Sequence, residues 1–215
     1  LDSIKHGNVF SVLGCREVAS LFQVLIDKSG FDCLKQRLND AAWSADQRTF
    51  ILSQAADAAA YVHLRGHVYG ILSPQTLYLD NLLHVKLIFH TAWAQHDKLS
   101  KSSDLSAYVF RFCAPETLVH GDISTASDVF TFGTLVWQLH NRTTLPLSEF
   151  ASMGTLVKYV RESTAMPPLT PQLQETSSCI HQVFDACHRR APGERPSMSG
   201  VAELLREEVK GPDRW

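Results

Sequence analysis

Residues 127–140 read Ser-Asp-Val-Phe-Thr-Phe-Gly-Thr-Leu-Val-Trp-Gln-Leu-His, and no other stretch constrains the fold as strongly. Apolar side chains fall on nearly every side of the helix that this run would form. Such a helix has no face to offer water and has to be enclosed by other structure. The rest of the chain must supply that enclosure.

Further helices are expected around it. Residues 45–64 place Phe50, Ile51, Ala55, Ala58, Ala59 and Val62 on an apolar face, with Ser44 as N-cap and Gly66 as the stop. Residues 153–162, 179–189 and 197–209 read as three more, with Met166-Pro167-Pro168 breaking the chain after the first. Strands are expected early: residues 8–13 and 21–26 as a pair turning near Gly14, then short apolar runs at 68–72, 77–79 and 83–88, the last two joined through Asp80-Asn81. Polar residues 95–107 read as an exposed loop. Strands followed by helices give an α+β fold with most of its mass in a helical lobe.

Composition narrows the function. With 45% hydrophobic and 20% charged residues in 215, the chain can bury one substantial core. A net charge of -2 gives no basic field, so nucleic acid is not an expected partner. Five scattered cysteines (Cys15, Cys33, Cys113, Cys179, Cys187) contain no C-x-x-C pair and are expected to be reduced thiols. There is no apolar run of about 18 residues, and no signal peptide is read at the start. The first residue is Leu1, not Met, so a longer parent is expected.

Three motifs then fall in order. Cys113-Ala114-Pro115-Glu116 is followed, with Asp128 twelve residues after Glu116, by Ser127-Asp128-Val129-Phe130-Thr131-Phe132-Gly133, and later by Pro192-Gly193-Glu194-Arg195-Pro196-Ser197. They resemble the A-P-E, D-V-W-S-F-G and R-P-S elements of a protein kinase C-terminal lobe. Lys5-His6-Gly7-Asn8-Val9 is similar to the turn before the fourth kinase strand. The resemblance covers essentially the whole chain. It implies a kinase-like fold: residues 1–40 as the last part of the N-lobe (strands 4 and 5 and the hinge) and residues 41–215 as the C-lobe. Glu116 would pair with Arg195, and Asp128 would accept backbone N–H groups at the start of its helix. Residues 108–116 and 121–128 resemble tyrosine kinases, including receptor pseudokinases of the protein-tyrosine-kinase-seven or Off-track kind.

The resemblance also places the catalytic parts. Kinases use an H-R-D-L-x-x-x-N loop, whose Asp positions the substrate hydroxyl and whose Asn holds Mg²⁺, and a D-F-G Asp on the second metal. Residues 69–76 match that loop as Tyr-Gly-Ile-Leu-Ser-Pro-Gln-Thr, which puts Ile71 at the base position and Thr76 at the Asn position. The metal Asp falls on Phe89. Residues 58–79 and 81–96 contain no Asp or Glu, so no local shift of register restores either carboxylate. The expectation is a catalytically inactive pseudokinase without cofactor or metal. It would scaffold other signalling proteins through a surface around Arg111 and Phe112, on the cytoplasmic side of a receptor parent where there is one. The alternatives are a nucleotide-binding switch without phosphotransfer and a weak kinase recruiting Asp57, Asp80 or Asp97.

Other features have plainer readings. His63 and His67 have the spacing of a helical zinc pair, but Gly66 lies between them and no third ligand is near. Ser100, Ser102, Ser103, Ser106 and Tyr108 read first as solvated loop and only second as phosphorylation sites. Asn141-Arg142-Thr143 reads as a chance sequon. Phe89 and Trp93 are expected to fill the nucleotide cleft, since a Phe in place of a buried Asp removes a charge-burial cost that only Mg²⁺ would offset.

Overall fold

The computed structural model describes residues 4–18, 21–38, 42–89, 108–142, 144–162 and 176–210. Its strands fall in two groups, before and after the long helix of residues 45–64. β1 (Val12–Val18) and β2 (Leu21–Ile26) form an antiparallel pair, and β3 (Asp32–Cys33), β4 (Leu77–Leu79) and β5 (Val85–Leu87) form a second antiparallel sheet in that order. The helices are α1 (Leu34–Arg37), α2 (Ala45–Leu64), α3 (Pro115–His120), α4 (Thr125–Asn141), α5 (Met153–Glu162), α6 (Ser178–Cys187) and α7 (Met198–Val209). This is the expected α+β arrangement with a helical lobe.

The central helix is α4, where every residue from Ser127 to Leu139 is buried. Its start is closed by a capping box in which Ser124 and Ser127 exchange backbone and side-chain hydrogen bonds. α2 is also capped as the sequence suggests, Ser44 accepting from the Gln47 N–H, and it stops where Gly66 takes φ 77°. Its buried alanines, Ala55, Ala56, Ala58, Ala59 and Ala60, keep the helix surface low. α7 packs along that face through Val201, Ala202 and Leu205.

Two strand expectations need correction. Gly14 lies inside β1, at an irregularity between Val12 and Gly14, while the reversal joins Val18 to its partner Leu21. A bulge tolerates a glycine as readily as a turn does, and the sequence alone does not separate the two. Residues 68–72 form no strand, because the N–H groups of Tyr69, Gly70 and Leu72 bond to side chains of α4 instead of a neighbouring strand. The hairpin over 77–88 is present, and Asp80 closes its turn by accepting from the Leu82 and His84 N–H groups, both at 2.8 Å. The loop expected at 95–107 lies outside the described residues.

α4 and α6 approach closely at Gly133, where a Cβ would sit 2.7 Å from Cys187 Cβ and 2.7 Å from the His188 ring. His188 is enclosed between Phe130 and Phe184, with Nδ1 3.0 Å from the Phe184 carbonyl and Nε2 3.2 Å from the Thr134 hydroxyl. Burial, with help from the nearby Arg195 cation, pushes its pKa down to about 4. Burial does the same to His140, also to about 4, with Arg48 and His181 adding to it.

Two measurements check this packing. Gly133→Ala gains about 1 kcal/mol in helix propensity but overpacks the Cys187 Cβ and the enclosed His188 ring at a cost of roughly 1–3 kcal/mol, so urea unfolding is expected to show net destabilisation. For both histidines the folded pKa lies below the ordinary 6.5. Their contribution is therefore complete above about pH 6.5 and is lost as the pH falls toward 4. The unfolding midpoint is expected to drop over that window, and His188→Gln is expected to flatten the drop.

Candidate functional site

The site is organised by one carboxylate. Asp128 is fully buried, and its Oδ1 accepts the Gly70 N–H at 2.8 Å while its Oδ2 accepts the Tyr69 N–H at 2.6 Å. His63 on α2 brings Nε2 to the same Oδ2 at 2.8 Å. One turn further along α4, Thr131 Oγ1 accepts the Leu72 N–H at 3.1 Å. Asp128 was expected to serve the N–H groups of its own helix; those are served by the Ser124–Ser127 box, and Asp128 faces outward to the 69–72 loop. That loop bends at Gly70, whose φ of 99° is open to glycine and unfavourable for other residues.

The side chains carried by the anchored loop point into apolar or self-satisfied surroundings. Ile71 is buried in a cluster with Val109, Phe112 and Cys113, flanked by Tyr108, Phe110 and Leu118. Thr76 is buried, and its hydroxyl accepts the Ser73 N–H at 3.1 Å and donates to the Ser73 carbonyl at 2.9 Å. Phe89 is buried with its ring 6.1 Å from that of Tyr69 and 5.6 Å from that of His67. The Tyr69 hydroxyl donates to the Ile88 carbonyl, and burial raises its pKa far above the ordinary phenol value. Trp93, the other expected cleft filler, lies outside the described residues.

Nearby carboxylates have other employment. Asp57 pairs with Arg206 at 3.0 Å. Asp80 is held in the hairpin turn, where burial pushes its pKa up but hydrogen bonds from His84 and Leu82 outweigh that and keep it below the usual range. Asp97 lies outside the described residues. His63 and His67, spaced like a zinc pair, separate in space toward Asp128 and Phe89 respectively. Burial pushes the Cys113 and Cys187 thiols up to about 12, which makes both poor nucleophiles.

Glu116 and Arg195 meet as expected, in a bidentate pair at 2.6 and 3.0 Å. Arg195 also donates to the carbonyls of Ala126, Arg189 and Arg190 and lies over the Phe130 ring. One guanidinium thus joins α3, α4 and the segment before α7. The expected partner surface is corrected. Phe112 is fully buried beside Ile71, and Arg111 is half-buried, donating to the carbonyls of Pro146, Leu147 and Phe150. Both residues hold the domain together. Asn141 of the sequon donates to the Trp137 carbonyl at 2.9 Å. Tyr108 packs at a tilt against Phe112 and carries Lys35 Nζ 4.2 Å from its ring centre.

Comparison with known proteins matches the sequence to a family. The profile described as protein tyrosine and serine/threonine kinase matches residues 1–205. The chain is 29% identical over 239 residues to a Lymnaea stagnalis protein named for a neurotrophin receptor, LTRK 1, covering 98% of this chain and 29% of that one. It is 25% identical to the human inactive tyrosine-protein kinase 7 (94% of this chain, 20% of that one) and 24% identical to the rat megakaryocyte-associated tyrosine-protein kinase (98% and 44%). The chain spans less than half the length of each of these relatives.

Asp128→Ala is expected to leave two buried N–H groups and the His63 ring without their acceptor, lowering unfolding free energy by at least about 3 kcal/mol. Asp128→Asn, which keeps one acceptor oxygen, is expected to lose less. Urea titrations of the two variants check that order.

Proposed function

Because the chain belongs to the protein tyrosine and serine/threonine kinase family and yet keeps its loop anchors while filling the reactive positions with Ile71, Thr76 and Phe89, we propose that it is a pseudokinase that acts by binding other signalling proteins. The observation that carries this reading is the position of Ile71. A side chain expected to be a proton acceptor is instead part of a buried apolar cluster. A positioned acid or base is worth roughly 10²–10⁴ in rate, and Mg²⁺ needs oxygen ligands that the Phe89 ring does not offer. Phosphoryl transfer rests on positioning and charge neutralisation, and both are missing from these positions. The likeness to a protein named inactive tyrosine-protein kinase 7 points the same way, and the receptor among the relatives supports a place in the cytoplasmic part of a receptor parent.

The second reading, a domain that binds nucleotide without metal and changes shape, separates from the first by one titration. Thermal unfolding of the protein with ATP, with and without Mg²⁺, is expected to show no shift, whereas ligand at 100 times its Kd would add about 2.7 kcal/mol. A shift without metal supports the switch. A shift that requires Mg²⁺, with phosphate incorporated into the protein or a peptide, overturns the proposal. Phe89→Asp run alongside reports whether position 89 alone withholds the metal.

A further inference from the structure

Where the end of α2 meets the segment of residues 4–9, hydrogen-bond donors gather around one tyrosine. Asp57, Tyr61 and the C-cap residue Arg65 recur every four residues and so share one face of the helix, with Leu64 beside them. The Arg65 guanidinium lies 5.1 Å from the centre of the Tyr61 ring, and the His6 ring packs against the same tyrosine with centroids 5.0 Å apart. The Lys5 backbone N–H donates to the Tyr61 hydroxyl at 3.3 Å, which leaves that hydroxyl its own hydrogen to give. His6 Nδ1 accepts the Asn8 N–H at 3.1 Å, so the neutral ring carries its proton on Nε2. Burial lowers the His6 pKa, against the pull of Asp57, and favours that neutral form. The charges on this face do not cancel. Asp57 is already held by Arg206 at 3.0 Å, whereas Lys5 and Arg65 are exposed and form no ion pair among the described residues. Leu64, next to Arg65, is 77% exposed.

We propose that this face is a docking surface for an acidic segment of a partner protein, whose carboxylates meet Lys5, Arg65, the Tyr61 hydroxyl and His6 Nε2 while an apolar residue covers Leu64. Such a surface rests on the reading of the domain as a binder of other proteins, and gives that reading a place and a chemistry. With Asp57 engaged by Arg206, the groups left to a ligand are donors and cations, so a carboxylate is matched and a basic segment is repelled. Arg65 is held against an aromatic ring before any partner arrives, and therefore loses less side-chain freedom on binding than an arginine standing alone in water. Tyrosine and arginine at the centre of a contact are also the residues that most often dominate its affinity. A lipid surface would call for a cluster of roughly four to eight basic residues, more than Lys5 and Arg65 provide.

The test is fluorescence anisotropy of a labelled Glu-Glu-Leu-Glu-Glu peptide with the full chain, beside a Lys-Lys-Leu-Lys-Lys peptide and vesicles of phosphatidylserine and phosphatidylcholine. The acidic peptide is expected to bind and the basic one not, with an affinity that falls as salt rises from about 50 to 300 mM. Lys5→Glu and Arg65→Glu are each expected to weaken binding roughly tenfold, and Leu64→Ala about threefold. Lys28→Glu makes the same change in net charge at the lysine over the Tyr78 ring and is expected to leave binding as it was. In the unaltered protein the ring resonances of Tyr61 and His6 are expected to shift as the acidic peptide is added, a readout that no variant's folding affects. Absence of acidic-peptide binding, undiminished binding by Arg65→Glu, or an equal loss in Lys28→Glu overturns the proposal. Binding to the vesicles and not to the peptide overturns it in favour of a lipid surface. The ATP titration decides the pseudokinase reading separately: a shift that requires Mg²⁺ overturns that reading with peptide binding intact, and loss of peptide binding leaves the titration as it was.

Discussion

A carboxylate without solvent is costly unless its oxygens are met by donors, and this domain is built around one such group. Asp128 sits on the most enclosed helix, and the donors that satisfy it come from two other elements: the Tyr69 and Gly70 N–H groups of a loop and the His63 ring of α2. Remove the carboxylate and those groups are orphaned together. Leave it in place and the loop has one position available, pinned again by Thr131 one turn along. The Glu116–Arg195 pair performs a similar task on the far side of α4, tying α3 and the segment before α7 to the same core.

This construction separates holding a loop from using it. All the anchors are made to backbone N–H groups, so they are indifferent to what the loop's side chains do. The side chains serve the packing: Ile71 adds to an apolar cluster, the Thr76 hydroxyl closes a local turn, and Phe89 packs on Tyr69. In the proposed reading, Ile71 and Phe89 stand where the family carries carboxylates and Thr76 where it carries an amide, and none of the three needs a metal or a substrate to offset its burial. The Glu116–Arg195 pair and the Asp128 anchors are thus present in a chain whose residues 71, 76 and 89 are buried.

Much of this was legible beforehand, and the failures have physical causes. The all-round apolar run at 127–140 revealed the central helix, and motif spacing brought Glu116 to Arg195. Capping residues fixed the start of α2 at Ser44. What the sequence hid was direction. Asp128 reads as a cap for its own helix, and only the fold shows that Ser124 and Ser127 fill that role while Asp128 turns to the loop. Residues 68–72 look like a strand because strands and buried loops share the same apolar composition; the difference lies in where their N–H groups go. Phe112 looked like a contact surface because an exposed aromatic and a buried one are spelled alike. The polar contacts of Gln54 and Asn8, linking the residue 4–9 turn to α2 and the β4–β5 hairpin, left no signal at all, since they join residues far apart in the chain.

The most direct test of the central claim, that the anchored loop is a structural part and not a working one, is native-state hydrogen exchange at the amides of Tyr69, Gly70 and Leu72. Amides bonded to buried acceptors in a structural core exchange only through global unfolding. The account expects these three to exchange at the global unfolding free energy and to be unmoved by Mg²⁺-ATP. Exchange through a low-energy local opening, slowed when Mg²⁺-ATP is added, would show a loop that still responds to nucleotide and would contradict it.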